Sequence, residues 1–227
     1  MRLPAFLVCA WAASIALAGP QPEVATLLGK MRTAYSSART AKISAKTVIY
    51  GQGKNLTITS RVLFQPPLRL QVTSTGIPGV VGGTFKAISD GKSLYLGGLP
   101  GGAMTQPASI RTVESALPQF NLEVLCFWDY AKQLSTKSGG NMNQSTFALK
   151  RESWKGKSWT VLEETAKAQN AFVRYFIDPK TSLIWRTLYM TLSSKAMRQE
   201  AWIEQMEINK PLEPNAFTIP ASKAIKV

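Results

Sequence analysis

The sequence predicts a mainly β, α+β fold: one long antiparallel sheet that curls around an interior. Three observations lead there. Apolar and polar residues alternate with period two over much of the chain, most cleanly in residues 55–64. There Leu56, Ile58, Ser60, Val62 and Phe64 fall on one side, and Thr57, Thr59, Arg61 and Leu63 on the other. Turn signals separate such segments at short spacing, which joins sequential strands as antiparallel neighbours. Finally, some late segments are apolar on both sides: Val173, Tyr175 and Ile177 alternate with Phe172 and Phe176. Strands of that kind are covered on both faces. A long antiparallel sheet curls, and a partly closed one encloses space.

The elements follow in order. Residues 22–41 carry Val24, Leu27, Leu28, Met31, Tyr35 and Ala38 at the three-and-four spacing of an amphipathic helix, with Pro22 suited to its first turn. Ile43 to Tyr50 reads as a strand. Residues 55–64 form the next, and Gln65-Pro66-Pro67 interrupts the ladder. Leu68, Leu70 and Val72 resume the alternation. Residues 75–83, TGIPGVVGG, read as a loop. Asp90-Gly91 signals a two-residue hairpin turn between strands near 85–89 and 93–96, since both residues tolerate positive φ. Residues 97–109 are rich in Gly and Pro and read as a loop. Helical spacing returns at 119–134 through Phe120, Val124, Phe127, Trp128, Ala131 and Leu134. The last third offers strands at 146–151, 158–165, 171–177, 183–192 and 200–208, with Asp178-Pro179-Lys180-Thr181 as one of the turns.

Composition narrows the function. The chain has 227 residues, enough for a self-sufficient core. Arg2, the apolar run from Leu3 to Leu17, and the Ala16-Leu17-Ala18 pattern read as a cleaved signal peptide over residues 1–18. The run is about 15 residues, short of the roughly 20 a spanning helix needs. The mature domain is then 19–227, exported and periplasmic. Cys9 sits inside the apolar run, where it cannot be lipidated at the cleavage point. That leaves Cys126, which reads as a small buried hydrophobe. Histidine is absent, which excludes Ser-His-Asp and Cys-His catalysis and His-based zinc sites. Only 13 acidic residues are present, and they are scattered. The expectation is no enzyme, no metal and no cofactor. The net charge of +14 is spread without long runs. It gives either a solvated basic surface or a face for an anionic partner. Export argues against nucleic acid.

Four motifs together resemble the periplasmic lipoprotein carrier (LolA-like) family. They are RVLFQPPLRLQV at 61–72 as its strand–Pro–strand element, ISDGKSLYL at 88–96 as its hairpin, YFIDPKTSLIWRTLYM at 175–190 as a strand pair, and INKPLEPNAFTIP at 208–220 as its closing segment. The resemblance covers most of the mature chain. It implies an incomplete, strongly curved antiparallel β-barrel with N-terminal and mid-chain helices forming a lid. It also implies an apolar interior for the acyl chains of lipoproteins or lipids. An inner-membrane release complex and an outer-membrane receptor are the implied partners of a monomeric carrier. One position departs: the family places an Arg before the first Pro to latch the lid, and here that residue is Gln65. A Gln lacks the charged fork of Arg.

The expected cavity lining is Leu56, Ile58, Val62, Phe64, Leu70, Val72, Leu94, Leu96, Phe172, Phe176, Trp185 and Tyr189. The expected lid is Leu28, Met31 and Tyr35 with Phe120, Val124 and Trp128. Ordinary core packing is the competing reading for each. Asp90 reads as turn chemistry. The rival functions are a regulatory or partner-binding envelope protein with the same fold, and a hydrolase acting on anionic glycans. A paired-carboxylate cleft would mark the last.

Overall fold

The computed structural model describes residues 21–51, 53–66, 68–109, 145–167 and 170–220, and the backbone of 225–226. Helix α1 (Pro22–Ser36) precedes strands β1 (Ala41–Ile49), β2 (Leu56–Gln65), β3 (Arg69–Thr75), β4 (Thr84–Asp90), β5 (Ser93–Gly97) and β6 (Met104–Pro107). Strands β7 (Ser145–Trp154), β8 (Lys157–Ala166), β9 (Ala171–Ile177), β10 (Ile184–Thr191) and β11 (Met197–Ile208) follow, then the short β12 (Ile225–Lys226). All share one sheet, in the order β12-β6-β5-β4-β3-β2-β1-β11-β10-β9-β8-β7. Every pairing is antiparallel except β12 on β6. Strand β1 pairs with β11, so two antiparallel arms meet at the middle of the sheet. The outermost strands do not pair with each other, and the barrel is incomplete.

Helix α1 forms because Val24, Leu28, Met31 and Tyr35 make one buried stripe and Pro22 occupies its first turn. It ends at Ser36, short of the expected 41. The hydroxyls of Thr33, Ser36 and Ser37 bond back to carbonyls three or four residues earlier. The chain is then captured by the far end of β11: Arg39 N–H donates to Asn209 Oδ1 and Thr40 Oγ1 to the Lys210 carbonyl. Long-range pairing overrides helical propensity here.

The turns differ from expectation in one instructive way. Ser89 pairs with Leu94, so Asp90 to Ser93 is a four-residue connection, not a two-residue turn. Only Gly91 has positive φ; Asp90 instead accepts N–H bonds from Lys92 and Ser93 at 2.7 and 2.8 Å. The Ser93 N–H, more than any other group, holds the Asp90 carboxyl below the usual carboxylate range. The two-residue hairpin turn lies at Lys155-Gly156, where φ is 50° and 71° and Trp154 pairs with Lys157. The stretch 97–109 also contains a strand, β6. It lies next to the sheet margin, where Pro107 at its end is tolerated.

The core divides by face. On the inner face, against which α1 lies, Val24, Leu28, Met31 and Tyr35 pack with residues of both arms, including Ile43, Val62, Val72, Phe85, Leu94, Leu162, Ile177 and Ile203. Each such side chain contributes roughly 1.5–3 kcal/mol by leaving water. A second cluster, Trp159, Val161, Phe176, Leu188 and Met190, lies on the outer face of the β7–β11 arm.

Candidate functional site

The inner face is built in rows that cross the strands. One row runs Leu149–Leu162–Tyr175–Thr187–Ala201–Thr47–Ile58 from β7 to β2. The neighbouring row runs Phe147–Glu164–Val173–Tyr189–Gln199–Ile49–Leu56. On the β1–β6 arm the inner positions are nearly all apolar. The buried Ser60 and Ser74 are an exception, and they satisfy each other at 2.8 Å. The second row is more polar. There Glu164 is buried and accepts a 3.0 Å bond from the Tyr175 hydroxyl.

Most of the expected lining lies on this face. Val62, Leu70, Val72, Leu94 and Leu96 belong to the inner cluster, and Phe64 packs against it. Ile58 is buried at the inner position facing Thr47. Leu56 shares that face, half-buried at the strand end. Tyr189 takes an inner position between Val173 and Gln199 and is half-buried.

Two expected residues sit on the outer side, and a third lies between the two clusters. Phe176 belongs to the outer cluster and Phe172 packs against that cluster. The sequence carried a signal for this: Arg174 falls between them on the same side, whereas Val173, Tyr175 and Ile177 share theirs with no charge. Trp185 lies at a register irregularity between Ile184 and Arg186. It touches both clusters, and its ring stacks 6.3 Å from Trp159 on the outer side.

Charged groups close the outer cluster. Arg174 bridges Glu152 and Glu163, and Lys150 pairs with Glu163 at 2.9 Å. Arg186 pairs with Glu200 at 2.7 Å and lies 5.0 Å over Trp154 and 4.9 Å over Phe176. Lys195 sits 3.7 Å over Phe172. The charged heads of Arg186 and Lys195 lie over aromatic faces, and Arg186 pairs with Glu200 at the same time. These outward aromatics are thus covered by the chain itself.

Of the expected lid, Leu28, Met31 and Tyr35 are buried in the inner cluster. Tyr35 also accepts a 2.9 Å hydrogen bond from the Ile184 N–H, which fixes α1 to β10. Burial pushes the Tyr35 phenol well above its ordinary value. Phe120, Val124 and Trp128, the helix expected at 119–134 and Cys126 lie outside the described residues. Gln65 pairs with Arg69 at the end of β2, and by alternation both fall on the outer side with Arg61 and Leu63.

The expected lining left out many apolar inner-face residues, among them Ile43, Phe85, Leu162 and Ile203, and two polar ones, Glu164 and Gln199. Gln199 fell outside the strand expected at 200–208, which in fact begins at Met197. Among the described residues no group of three His, Cys, Asp or Glu side chains could hold a metal ion. No helix among them is long and apolar enough to cross a membrane.

No protein-family model matches the chain, and no curated protein sequence does. Solved structures do. MucB matches at TM-score 0.54 and 13% identity, over 89% of this chain and 65% of the MucB chain. This chain therefore spans less than two thirds of that protein. An uncharacterised conserved protein from Thermus thermophilus matches at TM-score 0.54 and 9% identity, over 90% of this chain and 98% of its own. LprF from Mycobacterium bovis matches at TM-score 0.50 and 13% identity, over 86% of this chain and 97% of its own. The likeness is one of fold alone: an unclosed, mainly antiparallel β-sheet that curves around an interior.

Proposed function

We propose that this protein is an exported, periplasmic carrier that seats the acyl chains of lipoproteins or lipids on the inner face of its half-barrel. The observation that carries the reading is the single apolar inner face shared by both arms of an unclosed sheet. The antiparallel strands β1 to β11, spaced about 4.8 Å apart, give roughly 50 Å of curved width. A 15-residue helix is only about 22 Å long and some 10 Å across. Helix α1 alone therefore accounts for a minor part of the packing on that face, whose side chains otherwise bury one another across the curved sheet. Seating an acyl chain yields about 0.8 kcal/mol per buried CH₂, so a C16 chain is worth on the order of 10 kcal/mol before ordering costs. Such a task needs apolar area and no catalytic group. Because Gln65 supplies no charged latch and falls on the outer side, α1 is held by packing and by the Tyr35–Ile184 bond. Cargo release then requires that contact to open.

A second reading is a partner-binding envelope protein with a filled interior. The tight seating of Val24 and Met31, 0% and 1% exposed, favours it. One experiment separates the two. The full chain is expressed with its own export segment, purified without detergent and extracted with organic solvent for mass spectrometry, beside an Ile58→Glu variant. The carrier reading expects near-stoichiometric acyl species in the wild type and their loss in the variant. A clean wild-type protein contradicts it and supports the partner-binding reading.

A further inference from the structure

We propose that Gln199 is the head-group end of the interior: its side-chain amide donates a hydrogen bond to the neutral carbonyl, ester or amide, of an acyl ligand. The inference rests on the carrier reading and deepens it by naming the chemistry the site accepts.

The inner face satisfies nearly all of its own polar groups. Ser60 and Ser74 bond to each other, Tyr175 donates to Glu164, and the Tyr35 hydroxyl accepts from the Ile184 N–H. Gln199 is different. It is 8% exposed, and its Nε2 has no hydrogen-bond partner. It alternates with Ala201 and Ile203, which both belong to the inner cluster, so its side chain faces inward. Its neighbour Glu200 faces out and is taken by Arg186 and Tyr50. Trp185 Nε1, the other orphaned buried side-chain donor among the described residues, belongs to a ring stacked on the outer Trp159.

A buried donor without a partner is costly to maintain, because the water it lost is not replaced. Its placement is therefore informative. Gln199 stands between Tyr189 and Ile49, with the buried Thr47 on the same face one row away. From there the inner face runs through Ile58 and Val62 into apolar strands. An acyl chain laid along that face with its carbonyl at Gln199 meets a donor at one end and hydrocarbon at the other. An acceptor is what the site lacks. An ether or alkane end supplies a weak acceptor or none, and an ammonium head supplies only more donors.

The test uses a matched pair of amphiphiles that differ only in the carbonyl: 1-palmitoylglycerol and 1-O-hexadecylglycerol. Each displaces a bound fluorescent alkyl probe from the lipid-stripped full-length mature chain. The proposal expects the ester to bind roughly tenfold more tightly than the ether in the wild type. In Gln199→Met the two should converge, through weaker ester binding at unchanged ether affinity. Equal affinities in the wild type, or an ester preference that survives in Gln199→Met, would overturn the Gln199 site while leaving the carrier intact. Failure of both amphiphiles to displace the probe would instead bring down the carrier reading and this site with it. A second readout guards against misfolding. Ligand-free Gln199→Met should melt at or above the wild-type temperature, because the orphaned donor is gone. A lower melting temperature would mean that the protein itself satisfies the amide, which overturns the proposal.

Discussion

Tyr35 links the helix to the sheet through one buried oxygen. Its ring belongs to the inner cluster and its hydroxyl accepts from the Ile184 N–H. Removing that hydroxyl leaves a buried N–H unpaired, so Tyr35→Phe should lower stability by about 1–2 kcal/mol. The same burial raises the phenol's pKa, chiefly by desolvation of the anion. The unfolded chain ionises this tyrosine near pH 10, while the folded chain holds it neutral to higher pH. The unfolded state therefore binds fewer protons above pH ~10, and stability falls as pH rises. Chemical denaturation from pH 8 to 11 should show that decline, and Tyr35→Phe should flatten most of it. Tyr50, whose pKa is also raised, by burial and by Glu200, leaves a residual slope. An undiminished slope in the variant would assign the decline to other groups.

At the scale of the elements, close approach and positive φ fix where strands begin and end. Gly76 follows β3 at φ 84°, and a Cβ there would run into the Thr57 carbonyl oxygen of β2. That neighbour is backbone and cannot swing away. Gly76→Ala should cost at least about 2 kcal/mol, read as a lowered denaturation midpoint, whereas Gly53→Ala, with open space around it, should cost less.

Alternation made most strands legible in the sequence, because side chains on a half-buried sheet must obey period two. Three things were not legible from that period alone. The four-residue β6 is too short and too close to Gly and Pro to register as a pattern. The irregularities at Trp185 and between Tyr189 and Met190 shift the count by one, so Trp185 reaches both clusters instead of the inner one alone, and Gln199 falls in a strand expected to begin only at 200. The inward face of β9 was written in the position of Arg174 rather than in the apolar residues. Phe172 and Phe176 go outward with it because the ladder through Glu152 and Glu163 holds Arg174 on that side.

For the whole molecule, the sheet divides its aromatic and charged residues between two faces of different character. Outside, Trp159 and Phe176 are sealed by Arg186 and by Trp154. Inside, apolar positions extend across both arms of a sheet that does not close. The apolar residues expected from β2 to β5 fall on that inner face. If the inner face holds the cargo, a reactive group carried in the acyl chain must mark that face. The experiment binds a neutral acyl ester with a photoactivatable diazirine in its chain to the full-length protein, irradiates it and maps the adducts by residue. Adducts should fall at inner positions such as Ile58, Val62, Leu70 and Val72. Adducts gathered on Trp159, Phe176 and Leu188, or scattered over outward lysines, would contradict a cargo site on the inner face.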